Sequence, residues 1–287
     1  MKSFKQYLEE RQIVPGRGKR NGQVIILAGG AGSGKSFAIS QFIAANDYKI
    51  INPDDVIVNA VKLANQGKGF DSVKGKDLTK PEDLGAVYKD IVVDKRLTGK
   101  KQSLFFKNQN PDRLPNVILD RTFSRASEFK NWATKLRNVG YKPENIHIIW
   151  VLTDIEIAIA QNKARGEKGQ RAVPKNILIG THKGTKYSMK DYIFGRSKGA
   201  AINGDIFIVF GGAKNTIFYG TPEGELPSGE KPMVVKDFRY MKVKAQGKKF
   251  DKTSNIARSL GNILGDASRK HRAADPHGII PDKRTKR

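Results

Sequence analysis

The chain has 287 residues, 38% of them hydrophobic, enough to bury a full core as one large domain or as a domain with appendages. Its 53 Lys+Arg against 28 Asp+Glu give a formal net charge of +25, which favours polyanionic partners, nucleic acid first and anionic membrane surface second. The absence of cysteine excludes a disulfide framework, a thiolate zinc site and a cysteine nucleophile, and four scattered histidines argue against any metal beyond nucleotide-bound Mg²⁺.

No apolar run approaches the length of a bilayer and no secretory signal is visible, so the expectation is a cytoplasmic protein without a membrane partner. Residues 1–22 form a polar, basic N-terminal extension. Phe4, Tyr7 and Leu8 fit one face of a short helix ending before Pro15, and Pro15-Gly16-Arg17-Gly18-Lys19-Arg20 reads as a basic linker. The plain reading is a frayed terminus. Met1 to Glu10 is also similar to the short peptides that target tailed-phage internal proteins into the prohead, with Leu8-x-Glu10 at the processing position; this implies a virion interior as a second location.

The first core element is Val24-Ile25-Ile26-Leu27, a continuous apolar run of the kind a buried parallel strand shows. It leads into Gly29-Gly30-Ala31-Gly32-Ser33-Gly34-Lys35-Ser36, which fits the P-loop pattern G-x-x-x-x-G-K-[ST]. Phe37, Ile39, Phe42 and Ile43 then recur at helical spacing up to Asn46. Strand, glycine loop and helix together predict a nucleotide site. The glycines let backbone N–H groups turn toward phosphate oxygens, and the helix adds its positive end. Lys35 is placed to reach the β- and γ-phosphates of ATP, and Ser36 to ligate Mg²⁺.

Tyr48 to Asn52 is a short second strand followed by Pro53-Asp54-Asp55, a position beyond a strand end where ligands of α/β sheets bind. Residues 56–116 read as an insertion, either on the acceptor side or simply added bulk. Val56 to Ala64 suggests one helix, and Leu84 to Leu97 another with Ala86, Val87, Ile91, Val92 and Leu97 inward; Gly67 to Gly75 and Gly99 to Pro115 read as polar loops. Val117-Ile118-Leu119-Asp120 is a third buried strand closed by a carboxylate, suited to holding Mg²⁺ or orienting an acceptor. Ser124 or Ser127 is expected to cap a helix ending at Asn138, with Phe129, Trp132, Ala133 and Leu136 in the core and Gly140 as terminator.

Ile146 to Leu152 is a fourth strand whose His147 reads as structural. Asp154 is expected to cap a helix over 155–164. The segment from Asn162 to Pro174 is basic, carries two glycines and joins two helices, which is the composition of a lid whose arginines, Arg165 and Arg171, meet a transferring phosphoryl group; a solvated basic loop is the other reading. Lys175 to His182 continues as helix. Two further strands are expected at 205–210 and 215–220, and more strand at Val234-Val235 and Phe238 to Val243. From Lys242 onward there are 13 Lys+Arg against 4 Asp+Glu; Ile256, Leu260, Ile263 and Leu264 fit one short helix, and the end from Ser268 reads as a solvated basic tail.

The order of P-loop, Asn-x-Asp-Asp, strand-end Asp120 and Arg-Gly…Ala-Val-Pro resembles the kinase domain of phage polynucleotide kinases and the related zeta-toxin P-loop kinases, over roughly 23–182. The resemblance implies an α/β fold of the P-loop NTPase kinase type, a parallel sheet with helices on both faces spanning 23–220. Basic extensions at 1–22 and 221–287 complete the division of the chain. It implies ATP and Mg²⁺ as cofactors, Asp54 as the base that takes the acceptor's proton, Asp120 as the residue that orients its hydroxyl, Arg165 as the lid arginine and Arg171 as a second. Two departures bear on the acceptor. Ile57 stands where polynucleotide kinases place an arginine, and Asp120-Arg121-Thr122 stands where zeta toxins have Glu-Gly-Thr. The expected function is transfer of the γ-phosphate to a hydroxyl, on a nucleic-acid 5′ end or a nucleotide sugar, by a phage-encoded enzyme. The alternative is a basic nucleic-acid-binding or virion-internal protein whose P-loop only binds nucleotide. Oligomeric state is left open.

Overall fold

Apolar runs decide where the centre of the molecule lies. The computed structural model describes residues 13–18, 21–169, 171–194, 202–211 and 240–276. The N-terminal peptide, the strand expected at 215–220, Val234-Val235, Phe238 and the tail beyond 276 lie outside the described residues. Strands β1 (Val24–Ala28), β2 (Tyr48–Ile51), β3 (Asn116–Arg121), β4 (Ile146–Thr153), β5 (Ile206–Gly211) and β6 (Tyr240–Lys244) form one sheet in the order β2-β3-β1-β4-β5-β6. The first five are parallel and β6 runs antiparallel to β5, so the sheet is mixed with one reversed strand at its margin. Every residue of β1 is buried, as expected for a central strand covered on both sides.

Side chains alternate across that sheet. Ile25 and Leu27 face helix α1 (Lys35–Phe42), packing with Ala38 and Ile43 and with Ile13. Val24, Ile26 and Ala28 face the larger core, where α5 (Ala126–Val139) contributes Phe129, Trp132, Ala133 and Leu136. Each large apolar side chain so buried stabilises the fold by about 1.5–3 kcal/mol. The same core takes Met189 and Ile193 from α7 (Lys175–Phe194) and Leu260, Ile263 and Leu264 from α8 (Asn255–Ala274). Helices therefore cover both faces. Between β2 and β3, α2 (Pro53–Asn65), α3 (Pro81–Tyr88), a π-helical stretch at Lys89–Asp94 and α4 (Leu97–Lys107) are inserted; Ile57, Ala60, Val61, Val87 and Ile91 make a small core of their own.

Several boundaries differ from the sequence reading. Helix α1 stops at Phe42, because Ile43 turns extended and bridges Ile13, and Phe37 is left exposed. Pro15-Gly16 is no linker: both residues are buried, and the Gly16 N–H donates to Asp205 Oδ2 at 3.0 Å. The helix expected over 84–97 breaks at Tyr88 into the π stretch, leaving Ala86 exposed, and the loop expected from Gly99 is largely α4. Neither Ser124 nor Ser127 caps α5; Arg125 occupies the N-cap without a side-chain bond, while Gly140 ends the helix at φ 111° as expected. Asp154 does cap α6 (Ile155–Glu167), accepting from Glu156 N at 3.1 Å. The basic stretch from Ser268 is ordered to Ala274 as the end of α8, with His271 buried. β6 joins the sheet and α8 packs Leu260, Ile263 and Leu264 into its core.

His147 is fully buried and structural. Its Nδ1 accepts from Asp205 N at 2.8 Å, so Nε2 carries the proton and donates to Gln23 Oε1 at 2.8 Å. Burial raises the pKa of Asp205, but the Gly16 N–H, Lys242 and the Gln246 N–H, all donating to its oxygens, outweigh it and hold the carboxyl far below the usual range.

Candidate active site

Strand β1 delivers the chain at Gly29, and Gly29 to Ser36 wraps the N-terminus of α1. Gly32 and Gly34 hold φ of 71° and 84°, a left-handed backbone that a side chain would strain. Gly30 is required for a different reason, since a Cβ there would collide with the His182 ring. The loop is gripped from outside. Ala31 N donates to Thr181 Oγ1 at 3.0 Å, His182 Nε2 donates to Ala31 O at 2.8 Å, and Thr153 Oγ1 donates to Ser33 O at 2.6 Å. Burial pushes the His182 pKa down to about 4, so the ring is neutral.

Lys35 folds over this loop. Its Nζ donates to Gly29 O at 3.1 Å and to Gly30 O at 3.5 Å, and lies 3.8 Å from Asp120 Oδ1. Asp120, at the end of β3, is 5% exposed. Burial raises its pKa and the Lys35 ammonium opposes the rise. Asn52, just beyond β2, joins the two acidic positions: its Nδ2 donates to Asp120 Oδ2 at 3.2 Å, and its Oδ1 accepts from Asp54 N at 2.9 Å as the cap of α2. Asp54 is thus held in the first turn of α2.

The two arginines expected in a lid lie apart. Arg171 reaches across from the segment between α6 and α7, with Nη1 2.6 Å from Asp54 Oδ2. Arg165 lies exposed in the last turn of α6, because that helix runs three residues further than its apolar pattern indicates. Asn162 pins the far side of the segment: Nδ2 donates to Val173 O at 2.7 Å and Oδ1 accepts from Val173 N at 2.8 Å.

Two buried oxygens here, Ser33 Oγ and Asp120 Oδ1, have no hydrogen-bond partner. With an open glycine loop, a helix N-terminus and the Lys35 ammonium beside them, the residues fit a phosphate-bearing ligand. Among the described residues no group of three or more His, Asp or Glu is placed to hold a metal by itself. Asn52 lay within the motif quoted above; Thr153, Thr181 and His182 were not singled out, because nothing in their own spacing marks them and their partner loop is over a hundred residues away.

A family model described as AAA domain (AAA_33) matches residues 24–179, more than half of the chain. No curated protein matches it in sequence. Among solved structures it is similar to a chain of the PezAT chromosomal toxin–antitoxin system of Streptococcus pneumoniae, at 14% identity and a TM-score of 0.43, covering 92% of this chain and 91% of that one. It is similar to the AvrRxo1-ORF1:ORF2 complex with ATP at 12% identity and a TM-score of 0.44, covering 88% and 75%. A deoxyadenosine kinase from M. mycoides with bound dATP follows at 16% identity and a TM-score of 0.36, covering 66% and 91%. At these values the likenesses say nothing of activity. The family match, running from β1 through the P-loop, Asp54, Asp120 and Arg171 into α7, is the decisive one: the chain belongs to the AAA_33 family of P-loop kinases.

Proposed function

We propose that the protein transfers the γ-phosphate of ATP to a hydroxyl acceptor. The observation that carries this reading is Asn52, which ties Asp54 and Asp120 together at the same end of the sheet as Lys35. In the proposed mechanism Lys35 and the N–H groups of Gly29 to Ser36 hold the phosphates. Asp120 orients the acceptor hydroxyl. Asp54 accepts its proton as the acceptor oxygen bonds to the γ-phosphorus and the bond to ADP breaks. Arg171, with Arg165 as a second candidate, meets the charge on the moving phosphoryl group. Mg²⁺, arriving with the nucleotide and ligated by Ser36, would neutralise phosphate charge.

A nucleic-acid 5′-hydroxyl and a nucleotide sugar are the two candidate acceptors. The net charge of +25 supports contact with a polyanion, and it also supports the second reading, a nucleic-acid-binding or virion-internal protein that uses its P-loop for binding alone. The deciding experiment incubates the protein with γ-labelled ATP, Mg²⁺ and a panel of 5′-hydroxyl DNA, 5′-hydroxyl RNA and UDP-N-acetylglucosamine. Label is expected on one acceptor. Lys35→Ala should lower transfer by at least about a hundredfold, and Asp54→Ala should abolish transfer while leaving ATP binding largely intact. Equal loss of ATP binding in both variants would sink this division of labour. ATP binding without transfer to any acceptor would favour the second reading.

A further inference from the structure

A cavity of about 310 Å³ opens beside the catalytic carboxylates, between β2, α2 and α4. Asn52 and Asp55 line it on the side of Asp120 and Asp54, so an occupant reaches the place where a hydroxyl would react. Its size is at the lower end of the range for small-molecule sites. Its lining holds two polar groups the rest of the fold leaves unused: Thr98, 5% exposed, and Gln102, 8% exposed, whose Oγ1 and Nε2 are buried without a hydrogen-bond partner. A buried donor left unpaired costs about 1–3 kcal/mol, and two on successive turns of one helix, both lining the same cavity, point to a ligand that satisfies them. Lys49 and Lys101 supply positive charge to the lining, and Phe105 an aromatic ring.

Resting on the kinase reading above, we infer that this cavity is the acceptor site and that the acceptor is a single nucleotide-sized anion, not a nucleic-acid strand. Gln102 and Thr98 meet carbonyl or hydroxyl oxygens of its neutral part, Phe105 packs against its ring, and Lys49 and Lys101 meet its phosphate. A strand would call for a basic groove with successive aromatic platforms; this cavity has two lysines and one phenylalanine.

The test is a calorimetric titration of the full chain, loaded with a non-hydrolysable ATP analogue, with UMP, AMP, UDP-N-acetylglucosamine and a short 5′-hydroxyl oligonucleotide. At least one small anion is expected to bind. Gln102→Leu, which keeps the volume and removes the donor, should weaken it about tenfold. Lys101→Glu, at an exposed position that leaves folding unaffected, should do the same, with affinity for the ATP analogue unchanged in both. Binding of the oligonucleotide alone, or small-anion binding indifferent to both substitutions, overturns the inference while leaving the kinase reading standing. Small-anion binding that responds to both variants, with no transfer to that anion in the γ-labelled ATP assay, overturns the assignment as acceptor site together with the kinase reading, and leaves an anion-binding cavity.

Discussion

At the scale of single residues, burial is what gives this site its chemistry. Asp120 is almost wholly removed from water, and that burial raises its pKa; the Lys35 ammonium 3.8 Å away opposes the rise, while Asp54 and Asp55 add to it. His182 shows the same physics from the opposite charge. Burial pushes its pKa down to about 4, and that of His271 to about 3. The unfolded chain takes up these protons near pH 6.5, while the folded chain refuses them until much lower pH. Stability should therefore fall as pH drops from about 6.5 toward 4 and level off below the folded values. Thermal unfolding midpoints at successive pH values test this, and His271→Phe should show a shallower decline. Lys35, Asp54 and Asp120 were legible in the sequence because each lies at a fixed offset from an apolar strand. Thr153, Thr181 and His182 were not, because their role exists only once β4 and α7 are folded against the loop. The pairing of Arg171 with Asp54 was not legible, because it joins segments more than a hundred residues apart.

At the scale of elements, the P-loop depends on α7 as much as on its own glycines. Gly30→Ala drives a methyl group into the His182 ring and should cost about 1–3 kcal/mol as an overpacked site, with weakened ATP binding. Combining it with His182→Ala should cost less than the sum of the two changes, which a double-mutant cycle measures. Strands β1, β3 and β5 were easy to read because each carries an unbroken apolar run, Val24 to Ala28, Val117 to Leu119 and Ile206 to Phe210. Helix α4 was missed because its buried face is Thr98, Gln102 and Phe106, which has no apolar period. The end of α8 was missed for a related reason. Arg269-Lys270-His271-Arg272 looks solvated in sequence, yet Lys270 pairs with Asp154 and Asp266, and Ser268 Oγ donates to Leu264 O at 2.7 Å. Those partners come from folding, not from local pattern.

At the scale of the whole molecule, the surplus of positive charge is large while several basic residues serve the fold, such as Lys242 on Asp205 and Lys183 on Asp275. Among the described residues no helix is long and apolar enough to cross a membrane. Binding of duplex DNA to the intact chain should be independent of sequence and fall by about a thousandfold between 50 and 200 mM salt, as for a protein making roughly six or more phosphate contacts. A filter-binding titration across that range checks it; a flat salt response would show that the charge is spread too thinly to grip a polyanion.

The pairing of Arg171 with Asp54 has a consequence for fuel economy inside a cell. While that contact stands, the carboxylate that would activate a nucleophile is occupied, and water beside bound ATP finds no base. The pair is half exposed on the Asp54 side, so it is worth about 1 kcal/mol or less and yields to an arriving acceptor. The protein should then show little idle ATP hydrolysis. Arg171→Ala should raise the ratio of hydrolysis to transfer, measured as free phosphate against labelled acceptor, even as transfer itself slows.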